Sequence, residues 1–125
     1  MKLEFLAGGS PDCPLIRLFA FNDEEVLRLK SLLESLSRGL INSVALHEQA
    51  EFEQVNACRL YLRAGKSDKR LRQVAAGVFE YVLSKRAWDN MAGLVEPLCS
   101  PDARGYQWLE TGLGIRLLLS RDGKW

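Results

Sequence analysis

Apolar side chains recur along this chain at two periods, and the switching between them predicts the order of its elements. In Cys58-Arg59-Leu60-Tyr61-Leu62-Arg63, positions 58, 60 and 62 fall on one side and Arg59, Tyr61 and Arg63 on the other. That alternation is the pattern of a half-buried antiparallel strand. Leu3-Glu4-Phe5-Leu6 predicts an earlier strand ending at Gly8-Gly9, and Ser10-Pro11-Asp12 is turn chemistry. Leu15 to Phe21 predicts a second strand, apolar on both faces except at Arg17, and therefore central and covered on both sides.

At Asn22 the period becomes helical. Asn22 is a good N-cap and Glu25 stands three residues on, a capping-box arrangement. Asp23, Glu24 and Glu25 put negative charge at the positive end of the helix dipole. Val26, Leu29, Leu33, Leu36 and Leu40 form one apolar stripe, with Leu32 beside them. Glu24 with Arg28 and Glu34 with Arg38 predict favourable pairs four residues apart, and Gly39 is the natural residue to end the helix.

Asn42 to about Glu53 reads as an irregular strand. Val44 and Leu46 alternate, but His47-Glu48-Gln49-Ala50-Glu51 is too polar to fit cleanly. Gln54 to Asn56 turns into the strand at 57–64, and Gly65-Lys66-Ser67-Asp68-Lys69 is a second polar turn. Val74 to Leu83 then predicts a strand with Phe79, Tyr81 and Leu83 on one face, completing a meander. Ala75-Ala76-Gly77 marks a bulge or a close backbone approach. Ser84 caps a second helix in which Trp88, Met91, Val95 and Leu98 share a face, and Pro97 stops it. Tyr106 to Leu109 and Ile115 to Ser120 close the chain as a hairpin around Thr111 to Gly114. The expected fold class is α+β, ordered ββαβββαββ. It is a single mainly antiparallel sheet with two helices packed on it, in one domain spanning residues 1–125.

Composition narrows the function classes. The 125 residues are 47% hydrophobic and 26% charged, ordinary for a globular chain able to bury a core without staples. A formal net charge of +1 offers no basic surplus for a phosphate backbone, so nucleic acid is not the expected partner. Three cysteines at 13, 58 and 99, without a CxxC, favour neither a disulfide framework nor a zinc knuckle. With no signal-peptide core and no run of about 20 apolar residues, the expectation is a cytoplasmic protein with no membrane contact.

The candidate chemistry is sparse. Gly65-Lys66-Ser67 imitates the end of a phosphate loop, but position 60 is Leu where a Gly is needed, and Asp68-Lys69-Arg70 follows in place of an apolar helix. Gly112-Leu113-Gly114 lacks the third glycine of a dinucleotide fingerprint. His47 is the only histidine; on a strand it would share a face with Gln49, Glu51 and Glu53, as a base with carboxylate orienters, as part of a carboxylate-rich metal site, or as a solvated edge. Cys58 reads as a buried hydrophobe. Lys66, Lys69, Arg70 and Arg72 make a basic cluster that Arg59 and Arg63 extend. Tyr106 and Trp108 share a strand face, with Arg104 just before them and Trp125 at the end after an Asp122-Gly123 turn. Aromatics and Arg are common binding anchors; the competing reading puts Trp88 and Trp108 in the core and uses Trp125 to pin the tail.

No nucleophile stands beside a base and no metal-ligand spacing or cofactor loop occurs, so no metal, no cofactor and no enzymatic activity are expected. The expected function is a non-enzymatic interaction or accessory domain with a protein partner or a second copy of itself. The alternative is a small-molecule-binding protein or minor enzyme with a pocket between sheet and helix. His47, Glu51, Arg104, Tyr106, Trp108 and Trp125 are the expected ligand or partner contacts, and His47, Glu51, Arg104 and Tyr106 would anchor that pocket.

Overall fold

The first two apolar runs pair as their alternation requires. In the computed structural model, which describes residues 1–125, β1 (Lys2–Leu6) lies antiparallel to β2 (Leu15–Phe19), with Leu3 opposite Leu18 and Phe5 opposite Ile16. β2 stops two residues before the apolar run does, because Ala20 takes a left-handed φ of +53° and turns the chain toward the helix cap. In α1 (Asp23–Ser37) the Asn22 side chain accepts from the Glu25 N–H at 2.9 Å, and Glu25 Oε1 accepts from the Asn22 N–H at 2.9 Å. Val26, Leu29, Leu32, Leu33 and Leu36 are buried, each fully buried Leu contributing roughly 1.5–3 kcal/mol. Leu40 leaves the expected stripe and is 72% exposed, since Gly39 at φ +72° ends the helix and rotates the next residues off its face. Arg28 does not meet Glu24; it reaches Glu51 at 3.6 Å and Gln49 at 3.1 Å, whereas Glu34 does hold Arg38 at 3.6 Å.

The remaining strands are β3 (Ser43–Ala45), β4 (Glu53–Gln54), β5 (Arg59–Ala64), β6 (Arg72–Ala75), β7 (Val78–Leu83), β8 (Tyr106–Glu110) and β9 (Arg116–Ser120). They do not make one antiparallel sheet. A five-stranded sheet runs β4-β1-β2-β9-β8 and a four-stranded sheet runs β3-β5-β7-β6, each mixing parallel and antiparallel pairs. The split comes from the polar stretch expected to be strand. After β3, Leu46–Glu48 tightens into a 3-10 turn with Leu46 fully buried, and the chain crosses to the other sheet. There the Glu53 N–H donates to the Met1 carbonyl at 2.8 Å. The expected meander is absent too. Residues 72–83 fold into a β6–β7 hairpin at Ala76-Gly77, which puts β7 parallel to β5 and leaves β6 at the edge. Gly77 sits there at φ +70°, where a Cβ would lie 3.4 Å from the Ala57 carbonyl oxygen.

α2 (Lys85–Val95) starts at Ser84, whose hydroxyl accepts from the Ala87 N–H at 3.2 Å, and gives way at Pro97 to a 3-10 turn over Glu96–Cys99. Trp88, Met91, Val95 and Leu98 are buried, and the Trp88 indole donates to the Arg63 carbonyl at 2.9 Å. α1 and α2 pack on each other and on one face of each sheet. Leu3, Ile16, Leu18, Leu117 and Leu119 of one sheet share a single core with Leu60, Leu62, Phe79, Tyr81 and Leu83 of the other. The sheets touch where Phe5 meets Phe79, ring centroids 4.6 Å apart. No helix is long and apolar enough to cross a membrane.

Candidate functional site

The second face of the five-stranded sheet carries the candidate site. Strand alternation turns Leu109 into the core and Tyr106 and Trp108 outward. Register then sets two rows across the sheet: Trp108, Leu118, Arg17 and Glu4 in one, and Tyr106, Ser120, Phe19 and Lys2 in the other. Leu15 and Leu118 are fully buried although neither belongs to the main core. The C-terminal tail covers this face.

The tail is held by polar contacts that its composition supplies. Ser120, itself fully buried, donates its hydroxyl to the Lys124 carbonyl at 2.6 Å. Asp122 accepts from the Lys124 N–H at 2.9 Å, and that bond holds its carboxyl below the ordinary value. Arg17 donates to the Gly123 carbonyl at 2.8 Å, pairs with Glu4 at 2.7 Å and stacks over Phe19 at 3.9 Å. Gly123 takes φ +85°, and a Cβ there would come within 3.0 Å of both Arg17 Nη1 and Phe19 Cδ2. Trp125 is brought over the 7–14 loop, where its indole N–H donates to Asp12 Oδ2 at 2.9 Å. Arg116 donates to the other Asp12 oxygen at 2.8 Å.

The result is an open cleft of about 850 Å³ lined by Gly9, Ser10, Asp12, Tyr106, Trp108, Gly123, Lys124 and Trp125. Tyr106 is 49% exposed and Trp125 36%, while Trp108 is half-buried between them and the sheet. The Tyr106 hydroxyl bonds to nothing within the chain, on a residue 49% exposed. The Trp108 indole N–H is likewise unpaired, and since Arg121 Nε is the single buried polar atom without a partner on a non-exposed residue, that N–H reaches solvent. The cleft thus offers three aromatic surfaces, two free donors and the Lys124 ammonium. Amphipathic rings of this kind bury large area while keeping a polar handle.

Of the six expected contact residues, the fold gathers Tyr106, Trp108 and Trp125. Arg104 is exposed on the loop before β8 and does not line the cleft. His47 and Glu51 belong elsewhere. His47 stands in the 3-10 turn, so it shares no strand face with Gln49, Glu51 and Glu53; its Nδ1 accepts from the Leu60 N–H at 3.1 Å and its ring meets Tyr61 edge-on at 5.0 Å. Glu51 pairs with Arg28, and its carbonyl accepts from the Met1 ammonium at 2.8 Å. Both do structural work where they sit. Trp88 fills the core, as one of the two readings had it, whereas Trp108 does not. Sequence reasoning missed Ser10, Asp12 and Lys124. The turn chemistry of Ser10-Pro11-Asp12 and Asp122-Gly123 was the only local signal, and turn chemistry does not say which distant loop a turn will meet.

The space between helices and sheets is nearly full. Its residual gap, lined by Leu18, Leu29, Leu60, Met91 and other apolar side chains, is about 10 Å³. A shallow depression of about 170 Å³ lies between α2 and the sheets, beside Tyr81, Leu94 and Leu109. No three His, Cys, Asp or Glu side chains gather where they could hold one metal ion. Burial pushes the Cys58 thiol up to about 11, away from the thiolate form that a nucleophile needs. Neither a protein-family model, nor a curated protein, nor a solved structure matches this chain.

Proposed function

We propose that this protein is a non-enzymatic interaction module whose recognition surface is the aromatic cleft on the outer face of the five-stranded sheet. The observation that carries the reading is the convergence of Tyr106 and Trp108 from β8 and Trp125 from the C-terminal tail onto one solvent-open surface with unspent hydrogen-bond donors. Tyr and Trp anchors of this kind supply most of the energy of protein interfaces. The shape favours a protein over an enclosed small molecule: small-molecule sites bury roughly 70–90% of their ligand, and this cleft is open along its length. The partner class is therefore a protein, a second copy of this chain included. Three unpaired cysteines support a reducing, cytoplasmic setting.

The test uses the three tryptophans as reporters. Protein labelled with fluorotryptophan yields one fluorine NMR signal for each, with buried Trp88 as internal reference. Size-separated fractions of an extract of its source cells are titrated in. A macromolecular fraction that moves the Trp108 and Trp125 signals and leaves Trp88 in place is the expected result. Replacing Tyr106 or Trp125 by Ala then weakens that interaction by about tenfold or more. Movement only with the low-mass fraction would transfer the site to the small-molecule reading, and no selective movement would overturn the cleft as a recognition surface.

A further inference from the structure

The formal charge of +1 conceals a strong asymmetry. Residues 59–72 hold six of the 17 Lys and Arg side chains and one of the 16 acidic ones, so this stretch carries +5 and the rest of the chain −4. The fold concentrates that charge on an unpaired edge. β6 closes the four-stranded sheet on one side, all four of its residues are exposed, and no strand lies beyond it. Lys69 and Arg70 lead into it along β7, with the Lys69 N–H bonded to the Val82 carbonyl at 2.8 Å. Arg72 is its first residue, and the sheet's open face continues through Arg63 and Arg59.

Two of these cations are already spoken for. Arg63 and Arg72 clamp Glu80 at 2.9 and 3.0 Å. The other four, Arg59, Lys66, Lys69 and Arg70, are exposed and have no carboxylate within ion-pair distance, in a chain that forms ten ion pairs in all. A strongly net-positive cluster beside a strand with no neighbour on its outer side fits one kind of occupant well: an extended peptide that adds its backbone to the edge and lays acidic side chains against the cations.

We infer that the β6 edge, with Lys66, Lys69 and Arg70 beside it, is a docking site for an acidic, extended segment of a partner protein, added as a further strand. A nucleic acid fits the same charge less well. The one aromatic on this face, Tyr61, already has the Arg63 guanidinium over its ring at 4.9 Å and the His47 ring set edge-to-face at 5.0 Å, and single-strand sites stack successive bases on several rings. Nor can a nucleic acid continue a backbone ladder. This site is separate from the aromatic cleft and does not depend on it.

A random peptide library displayed on phage, panned at low ionic strength on the wild-type protein and on the triple variant Lys66→Glu, Lys69→Glu, Arg70→Glu, tests the assignment. All three positions are exposed, and unchanged far-ultraviolet circular dichroism shows that the variant folds. The expected result is enrichment of Asp- and Glu-rich peptides on the wild type alone. A selected peptide then weakens with salt and loses about tenfold or more in affinity on the variant. The same peptide N-methylated at alternate residues, made in both phases, loses binding in one phase, because strand addition needs its backbone donors. Three results would overturn the proposal: no acidic enrichment, enrichment that persists on the variant, or equal binding of both N-methylated forms. An oligothymidylate that binds more tightly than any selected peptide and competes with it would also overturn it, in favour of a nucleic-acid site.

Discussion

At the scale of single residues, the most legible features are those whose chemistry is satisfied by near neighbours in sequence. Asn22, Glu25, Gly39 and Ser84 all do what their type and spacing imply, because a cap bonds to backbone groups only three residues away. Asn22→Ala should therefore lower stability by about 1 kcal/mol, read as a shifted urea midpoint with unchanged slope. His47 is the opposite case. Its reading depended on a strand that does not form, and its partner, the Leu60 N–H, lies on β5, thirteen residues away. A polar side chain whose partner is a backbone group of another strand leaves no periodic trace in the sequence. Tyr106, Trp108 and Trp125 were legible by residue type as candidate contacts, and the fold brings all three to one cleft. Asp12 was not, since its contacts with Arg116 and Trp125 span 104 and 113 residues.

At the scale of elements, alternation located β1, β2, β5, β7, β8 and β9, and helical periodicity located α1 and α2, to within a few residues. It did not say which strands pair. Residues 78–83 alternate, and Ala75-Ala76-Gly77 reads as a bulge or close approach inside one strand from Val74; the chain instead reverses at Ala76-Gly77, where two small residues allow a tight turn. β7 then ties to its neighbours through charge as well as backbone: Glu80 accepts from Arg72 on β6 and Arg63 on β5. Those two hydrogen bonds, Arg72's first, hold the Glu80 carboxyl below its ordinary 4.5. A carboxylate with a lowered folded pKa contributes stability that is present above 4.5 and lost as pH falls through the folded value. Glu80→Gln should thus cost a few tenths to about 1 kcal/mol at neutral pH, because the guanidinium partners are solvent-screened. The gap between wild type and variant should close as denaturation is repeated at progressively lower pH below 4.5.

At the scale of the whole molecule, the join between the two sheets is a tertiary decision. Besides Phe5 on Phe79, it is made by the Tyr81 hydroxyl on β7, which donates to Glu110 on β8. Burial, then that carboxylate, drive the Tyr81 pKa far upward. Tyr81→Phe should cost about 1–2 kcal/mol, since the lost bond is to a charged acceptor that keeps its other contact, the Gly112 N–H at 2.8 Å. A spectrophotometric titration should find a tyrosine ionisation in the wild type that appears only on unfolding, and the variant should lack that step. Local sequence suffices for the α+β class, both helices with their caps and the apolar face of each main strand, because those follow from contacts within a few residues and from local period. Tertiary structure alone decided that the strands divide into two mixed sheets, that β6 is left as a basic edge, and that the tail folds back to build the aromatic cleft. Each of these rests on partners that sequence separation hides: a polar crossover at 46–52, a turn at Ala76-Gly77 where the sequence shows only small residues, and a carboxylate on the 7–14 loop that meets the tail across 113 residues.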